Sequence, residues 1–138
     1  MLKINQLNKS YGSINVLSDF DLSVESGSIT SIVGASGSGK TTLLRLISGL
    51  EIPNDGEIVL NGNVVNSKLK FVPPEKRDCS LVFQDYALFP NISMLENIYF
   101  GKNSFQNKEN IDELIQLTDI EGILKKFPHE CSGGEQQR

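Results

Sequence analysis

Gly34-Ala35-Ser36-Gly37-Ser38-Gly39-Lys40-Thr41 satisfies every fixed position of the pattern G-x-x-x-x-G-K-[ST]. That pattern carries weight only where a strand runs into it and a helix leaves it, and the flanking residues supply both. Residues 28–33 include Ile29, Ile32 and Val33 and predict a short buried strand. Leu43, Leu44, Leu46 and Ile47 recur at helical spacing and predict a helix that ends near Gly49. The glycines let the backbone curl so that successive N–H groups point inward at phosphate oxygens without side chains in the way. A helix starting near Lys40 adds the positive end of its dipole, Lys40 can reach the β and γ phosphates, and the Thr41 hydroxyl can ligate Mg²⁺. Gly34, Ala35, Ser36, Gly37, Ser38, Gly39, Lys40, Thr41 and the adjacent Thr42 are therefore the candidate nucleotide-contacting residues. Many hydrolases and kinases use such a loop, so the reaction has to be read elsewhere.

Upstream, apolar residues alternate through Leu2, Ile4 and Leu7 and again through Leu17, Phe20, Leu22 and Val24, predicting two strands joined at Tyr11-Gly12-Ser13. Downstream, Pro53-Asn54-Asp55-Gly56 predicts a turn, residues 57–60 a strand, and Asn61-Gly62 a hairpin turn into Val64 and Val65. Pro73 and Pro74 interrupt the chain, and residues 80–83 predict a further buried strand that ends at Gln84. Beyond Gln84 the pattern becomes helical. Ser93-Met94-Leu95-Glu96 fits a capping box that opens a short helix through Tyr99. After the polar stretch 102–110, Ile111, Leu114, Ile115 and Thr118 repeat at helical spacing. There is no internal repeat.

The 138 residues suit one small domain, and 38% hydrophobic with 22% charged residues is ordinary globular composition. A net charge of -4 gives no general attraction to nucleic acid or anionic lipid, so phosphate binding has to be local and no nucleic-acid partner is expected. Cys79 and Cys131 are too far apart in sequence to suggest a disulfide framework or a closely spaced metal motif, which favours a reduced cytosolic protein. The first ten residues lack the apolar segment of a secretory signal, and no run approaches the roughly 20 apolar residues of a spanning helix. Any membrane role therefore runs through a partner. His129 has no partner motif and is expected to be structural.

Cys131-Ser132-Gly133-Gly134-Glu135-Gln136-Gln137-Arg138 resembles the signature of ATP-binding-cassette proteins, usually Leu-Ser-Gly-Gly-Gln followed by Gln, Gln or Arg. The Ser-Gly-Gly core is intact. Cys131 stands for the usual leucine, a packing change, and Glu135 for the usual glutamine, which brings a carboxylate toward phosphate. Leu81-Val82-Phe83-Gln84 looks like the family's glutamine loop, which delivers an amide to the region of Mg²⁺ and the attacking water. Tyr11 resembles the aromatic that stacks on adenine, although an edge tyrosine would read the same way. The resemblance covers essentially the whole chain. Residues 74–78 and 82–91 look like the importer branch that serves ferric iron, polyamines, sulfate, molybdate or maltose.

The resemblance implies an α/β fold: a P-loop NTPase (RecA-like) core with an antiparallel β subdomain and the start of an α-helical subdomain, incomplete at the C-terminus. Residues 1–138 would be the N-terminal part of a nucleotide-binding domain, with 1–84 as β subdomain and phosphate-loop core and 85–138 as helical subdomain. It also implies an ATPase with ATP and Mg²⁺ as cofactors, Lys40, Gln84 and Ser132 as catalytic residues, Thr41 and Gln84 as metal ligands, and Tyr11, Ser132, Gly133 and Gly134 on the nucleotide. Two such subunits dimerise head to tail, each ATP lying between one phosphate loop and the other signature. They drive transmembrane permease subunits, fed by an external solute-binding protein, from the cytoplasmic face of the inner membrane. Ferric iron is the first expectation for the solute. The family's apolar strand carrying an Asp-Glu pair, the Mg²⁺-linked aspartate and the water-orienting glutamate, does not occur up to Arg138, nor does the later switch histidine. The 138 residues alone are therefore expected to be marginally stable and catalytically inactive. Two other classes remain open: a soluble cassette ATPase acting on ribosomes or DNA, and a small-molecule kinase outside the family.

Overall fold

A computed structural model describes residues 1–100 and 108–138, without the side chains of 108–110. The expected polar stretch 102–110 thus lies largely outside the described residues. The chain divides into two compact units, Met1–Leu81 and Val82–Arg138.

The first unit is built on an antiparallel sheet. Strands β1 (Leu2–Tyr11), β2 (Ile14–Val24), β3 (Asp55–Leu60), β4 (Asn63–Ser67) and β5 (Lys70–Phe71) lie in the order β2-β1-β3-β4-β5. The β1–β2 hairpin closes where Tyr11 pairs with Ile14. Asn61 and Gly62, at φ 47 and 80, make the β3–β4 turn, the geometry that matches the right-handed twist of the flanking strands. Helix α1 (Lys40–Ser48) ends at Gly49, whose N–H donates back to the Leu46 carbonyl. Its apolar side puts Leu43 and Leu46 into a core with Ile4, Leu7, Leu17, Ile58, Leu60 and Val65. Each of these burials contributes about 1.5–3 kcal/mol, so the helix is held by packing more than by its own nine residues.

Strand β1 does not keep a simple two-residue period. Gln6 takes φ 47 where the ladder shifts between Ile4 and Leu7, and Asp19 in β2 takes φ 44 where it shifts again between Leu7 and Lys9. Asn8 supports both departures: its amide donates to the Gln6 carbonyl and the Asp19 carboxylate, and its oxygen accepts from the Asp19 N–H. The bulge moves the buried face along by one, so that Leu7 and then Lys9 point inward after Ile4.

Two expected strands are not formed. Residues 28–33 and 80–83 carry no ladder hydrogen bonds, and Ile29, Val33 and Val82 stand 98%, 93% and 89% exposed. A short apolar run becomes a strand only when a neighbour completes its N–H and C=O pairing, and the five described strands pair with one another instead.

In the second unit α2 (Met94–Ile98) opens on the expected capping box. The Ser93 hydroxyl accepts from the Glu96 N–H, and the Glu96 carboxylate accepts from the Ser93 N–H. Helix α3 (Lys108–Leu117) and α4 (Gly133–Gln137) follow. The apolar centre is Met94, Ile115, Ile120, Ile123 and Cys131. Cys131 is thus a core residue, as a packing replacement for leucine requires. His129 stacks on Phe127 at 5.8 Å between ring centroids. Among the described residues no helix is long and apolar enough to cross a membrane.

Candidate nucleotide-binding site

Residues 34–39 approach α1 as a tight loop. Ser38 N–H donates to the Ala35 carbonyl at 3.2 Å, closing a turn that brings Ser38 back toward the start of the loop. A Cβ on Gly34 would meet Ser38 Oγ at 2.7 Å, so the two ends of the turn meet only because Gly34 has no side chain. Gly39 is the N-cap of α1 at φ 87, and a Cβ there would come within 2.9 Å of Val16 Cγ1. That close approach seats the loop on β2, two residues beyond the Ile14 that pairs with Tyr11.

The electrostatics of the loop are one-sided. The Lys40 ammonium donates to the Gly34 carbonyl at 2.8 Å, the Ala35 carbonyl at 2.7 Å and Ser38 Oγ at 3.3 Å. All three acceptors are neutral, and among the described residues no carboxylate pairs with it. The charge is held in place by backbone and left uncompensated. The first turn of α1 has no side-chain cap and no acidic residue, so the free amides at the helix start keep their positive end. A half-buried cation and an uncapped helix terminus on one loop attract a multiply charged anion. Thr41 is exposed in the first turn and Thr42 half-buried beside it. The donor chemistry fits a triphosphate with its Mg²⁺: amides and an ammonium for phosphate oxygens, and a hydroxyl oxygen of the kind hard cations take.

Tyr11 ends β1 with its ring 44% exposed, and the Lys9 ammonium lies over it, 4.7 Å from the centroid. Gln84 belongs to the second unit. It does not end a strand, as the sequence suggested, but opens an exposed turn in which Tyr86 and Ala87 adopt φ 60 and 50. The structure thus brings Gly34, Ala35, Ser38, Gly39 and Lys40 together in one unit and sets Gln84 and the Ser132 stretch in the other.

Ser132 is the N-cap of α4, followed by Gly133 and Gly134. Its hydroxyl accepts from the Glu135 N–H at 3.3 Å, and the Glu135 carboxylate accepts from the Ser132 N–H at 2.6 Å. The substituted Glu135 is therefore the second half of a capping box, with Lys126 4.0 Å away. Sequence reading treated Glu135 only as a departure; the Ser-x-x-Glu spacing was the available signal.

The hydroxyl and then the backbone N–H of Ser132 hold the Glu135 carboxyl below its ordinary value of 4.5, and Ser93 does the same for Glu96. Because the folded values lie below the unfolded ones, both caps contribute fully above about pH 4.5 and are lost as pH falls through the folded values. Circular dichroism between pH 6 and 3 should show a loss of helix that Glu96→Gln with Glu135→Gln flattens, glutamine capping without titrating. An unchanged profile in the double variant would remove the caps as its cause.

The sheet–loop–helix arrangement has counterparts among solved structures. A dimeric ATP-binding cassette in a post-hydrolysis state, bound to ADP and Pi, superposes with a TM-score of 0.78 at 26% identity, over 99% of this chain and 66% of that one. A dimeric bacterial ABC transporter cassette gives 0.79 at 25% identity, with the same coverage. The Fe(3+) ions import ATP-binding protein of Yersinia enterocolitica is 47% identical over 99% of this chain and 40% of its own length. That of Mesorhizobium japonicum is 49% identical, over 99% and 39%. The spermidine/putrescine import ATP-binding protein of Legionella pneumophila is 44% identical over 100% of this chain and 38% of its own length. The chain thus spans about two fifths of the relatives it matches. With the phosphate loop inside residues 17–138, which match the ABC transporter model, the chain belongs to the ABC transporter family.

Proposed function

We propose that this chain is the nucleotide-binding part of an importer's ATP-binding subunit, which couples ATP binding and hydrolysis to solute uptake. The observation that carries the reading is the Lys40 ammonium, held over the loop by two carbonyls with no carboxylate among the described residues to neutralise it. In this reading residues 1–84 are the β subdomain and phosphate-loop core, and 85–138 the helical subdomain. Loop amides 34–39 and Lys40 hold the triphosphate, Thr41 and Thr42 lie beside it, and Tyr11 carries the base. Thr41 and Gln84 would hold Mg²⁺, which when bound supplies charge neutralisation between the β and γ phosphates. Lys40 stabilises the negative charge that grows on the phosphate oxygens as water attacks. Ser132, Gly133 and Gly134 would complete the site on the second subunit of a dimer.

The partners are transmembrane permease subunits, with an external solute-binding protein acting through them, and the place of work is the cytoplasmic face of the inner membrane. Ferric iron is the first solute to test and a polyamine the second, following the relatives at 47–49% and 44% identity. A soluble cassette acting on ribosomes or DNA is not favoured, since those relatives are named for import.

The test is to express the full-length product with its permease and reconstitute the complex in vesicles with the binding protein and solute outside and ATP inside. ATP-dependent accumulation of ferric iron or spermidine is expected. Copurification with ribosomes, with turnover indifferent to the permease, would overturn the importer reading.

A further inference from the structure

The bulge at Gln6 turns Lys9 inward, where it is only 7% exposed. A buried ammonium is costly unless its donors are met. Lys9 Nζ donates to Glu51 Oε1 at 2.6 Å and to the Ile52 carbonyl at 2.7 Å, and it lies 4.7 Å from the centroid of the Tyr11 ring. Glu51 follows the Gly49 cap of α1, and its N–H donates to the Arg45 carbonyl, so its place is set by the helix that begins at the phosphate loop. Its carboxylate is held below the ordinary glutamate value chiefly by the Lys9 hydrogen bond, with a smaller contribution from the Tyr11 hydroxyl. Lys9 therefore lies over the face of the ring, and Glu51 holds it there.

We propose that Lys9 and Glu51 are positioning residues for base recognition: they hold the Tyr11 ring against one face so that the other is presented to the nucleotide base. The inference rests on the reading of Tyr11 as the base platform. A lysine that only tied β1 to residues 51 and 52 would have its carboxylate and carbonyl without a place over the ring. An ammonium on one face also draws π density toward itself, which suits the opposite face to stacking on an electron-rich purine. Through Glu51, α1 links the loop that takes the phosphates to the residue that takes the base.

The experiment compares ATP with inorganic tripolyphosphate, which has the charge without the base, by calorimetry on the full-length protein. Lys9→Met should raise the Kd for ATP roughly 3- to 10-fold and leave that for tripolyphosphate unchanged. Tyr11→Leu should cost at least as much, and the double variant no more than Tyr11→Leu alone. If Lys9→Met weakens both ligands equally, or neither while Tyr11→Leu weakens ATP, the positioning role is overturned and the base platform stands. If Tyr11→Leu leaves the ratio of the two affinities unchanged, the platform reading fails and takes the inference with it. Glu51→Ala, which removes the acceptor that holds Lys9 in place, answers the same question if Lys9→Met does not fold: it should weaken ATP and spare tripolyphosphate, and an equal effect on both would overturn the positioning role. Lys9→Arg should restore most of the ATP affinity.

Discussion

Lys40→Ala in the full-length protein should lower ATP turnover by about 10²- to 10³-fold, the usual effect of removing one preorganised group that meets charge developing in a transition state. Lys40 is oriented by the Gly34 and Ala35 carbonyls, so its ammonium needs little reorganisation to meet a phosphate oxygen. Its stem is outside the apolar core, to which α1 contributes Leu43 and Leu46. The variant should therefore keep its far-ultraviolet dichroism and unfolding midpoint while losing turnover. Lys40→Arg should recover little, because a planar fork does not reproduce a compact ammonium on these three acceptors. Turnover within a few-fold of wild type would remove Lys40 from the chemistry.

Arg77→Met should markedly destabilise the first unit. Arg77 is 6% exposed, and its guanidinium donates to the carbonyls of Val72 at 2.7 Å, Leu46 and Ile47 at 2.8 Å each and Val65 at 3.4 Å, with the Phe71 ring 5.2 Å away. It closes the C-terminal end of α1, packed so tightly that a Cβ on Gly49 would come within 2.5 Å of its Nε. The Leu46 and Val65 carbonyls also accept from the Gly49 and Val72 N–H groups, and the Ile47 carbonyl from the Cys79 thiol at 3.9 Å, whereas the Val72 carbonyl relies on the guanidinium. Losing it should cost at least about 1–3 kcal/mol, for the Val72 carbonyl left without a partner, against a total stability of roughly 5–15 kcal/mol. Burial lowers the Arg77 pKa, but a guanidinium stays protonated throughout the working range. A denaturation midpoint equal to that of wild type would contradict the assignment.

The parts of the fold that were legible in the sequence are those fixed by local chemistry. Asn61-Gly62 supplied its turn, Ser93 and Glu96 their capping box, and Leu43 and Leu46 the buried side of α1 with its stop at Gly49. The phosphate loop was legible because its glycines and Lys40 act on one another within seven residues of chain, 34–40. What escaped depends on distant partners. Residues 28–33 and 80–83 have the composition of buried strands, but pairing decides a strand and composition does not report it. The Gln6 bulge needs Asn8 on its own strand and Asp19 and Asp21 from across the hairpin, and without it Lys9 reads as a solvated charge. Once the bulge is placed, the two-residue step from Leu7 to Lys9 puts the lysine on the inner face. Arg77 was hidden for the same reason, since its four acceptors come from residues 46, 47, 65 and 72.

The central claim is that the loop from Gly34 to Thr41 takes the phosphates of ATP, and titrating the full-length protein with MgATP in a calorimeter, beside Lys40→Ala, tests it most directly. The account predicts saturable binding of one nucleotide per chain in the wild type and its loss in the variant; equal affinity in both would contradict it.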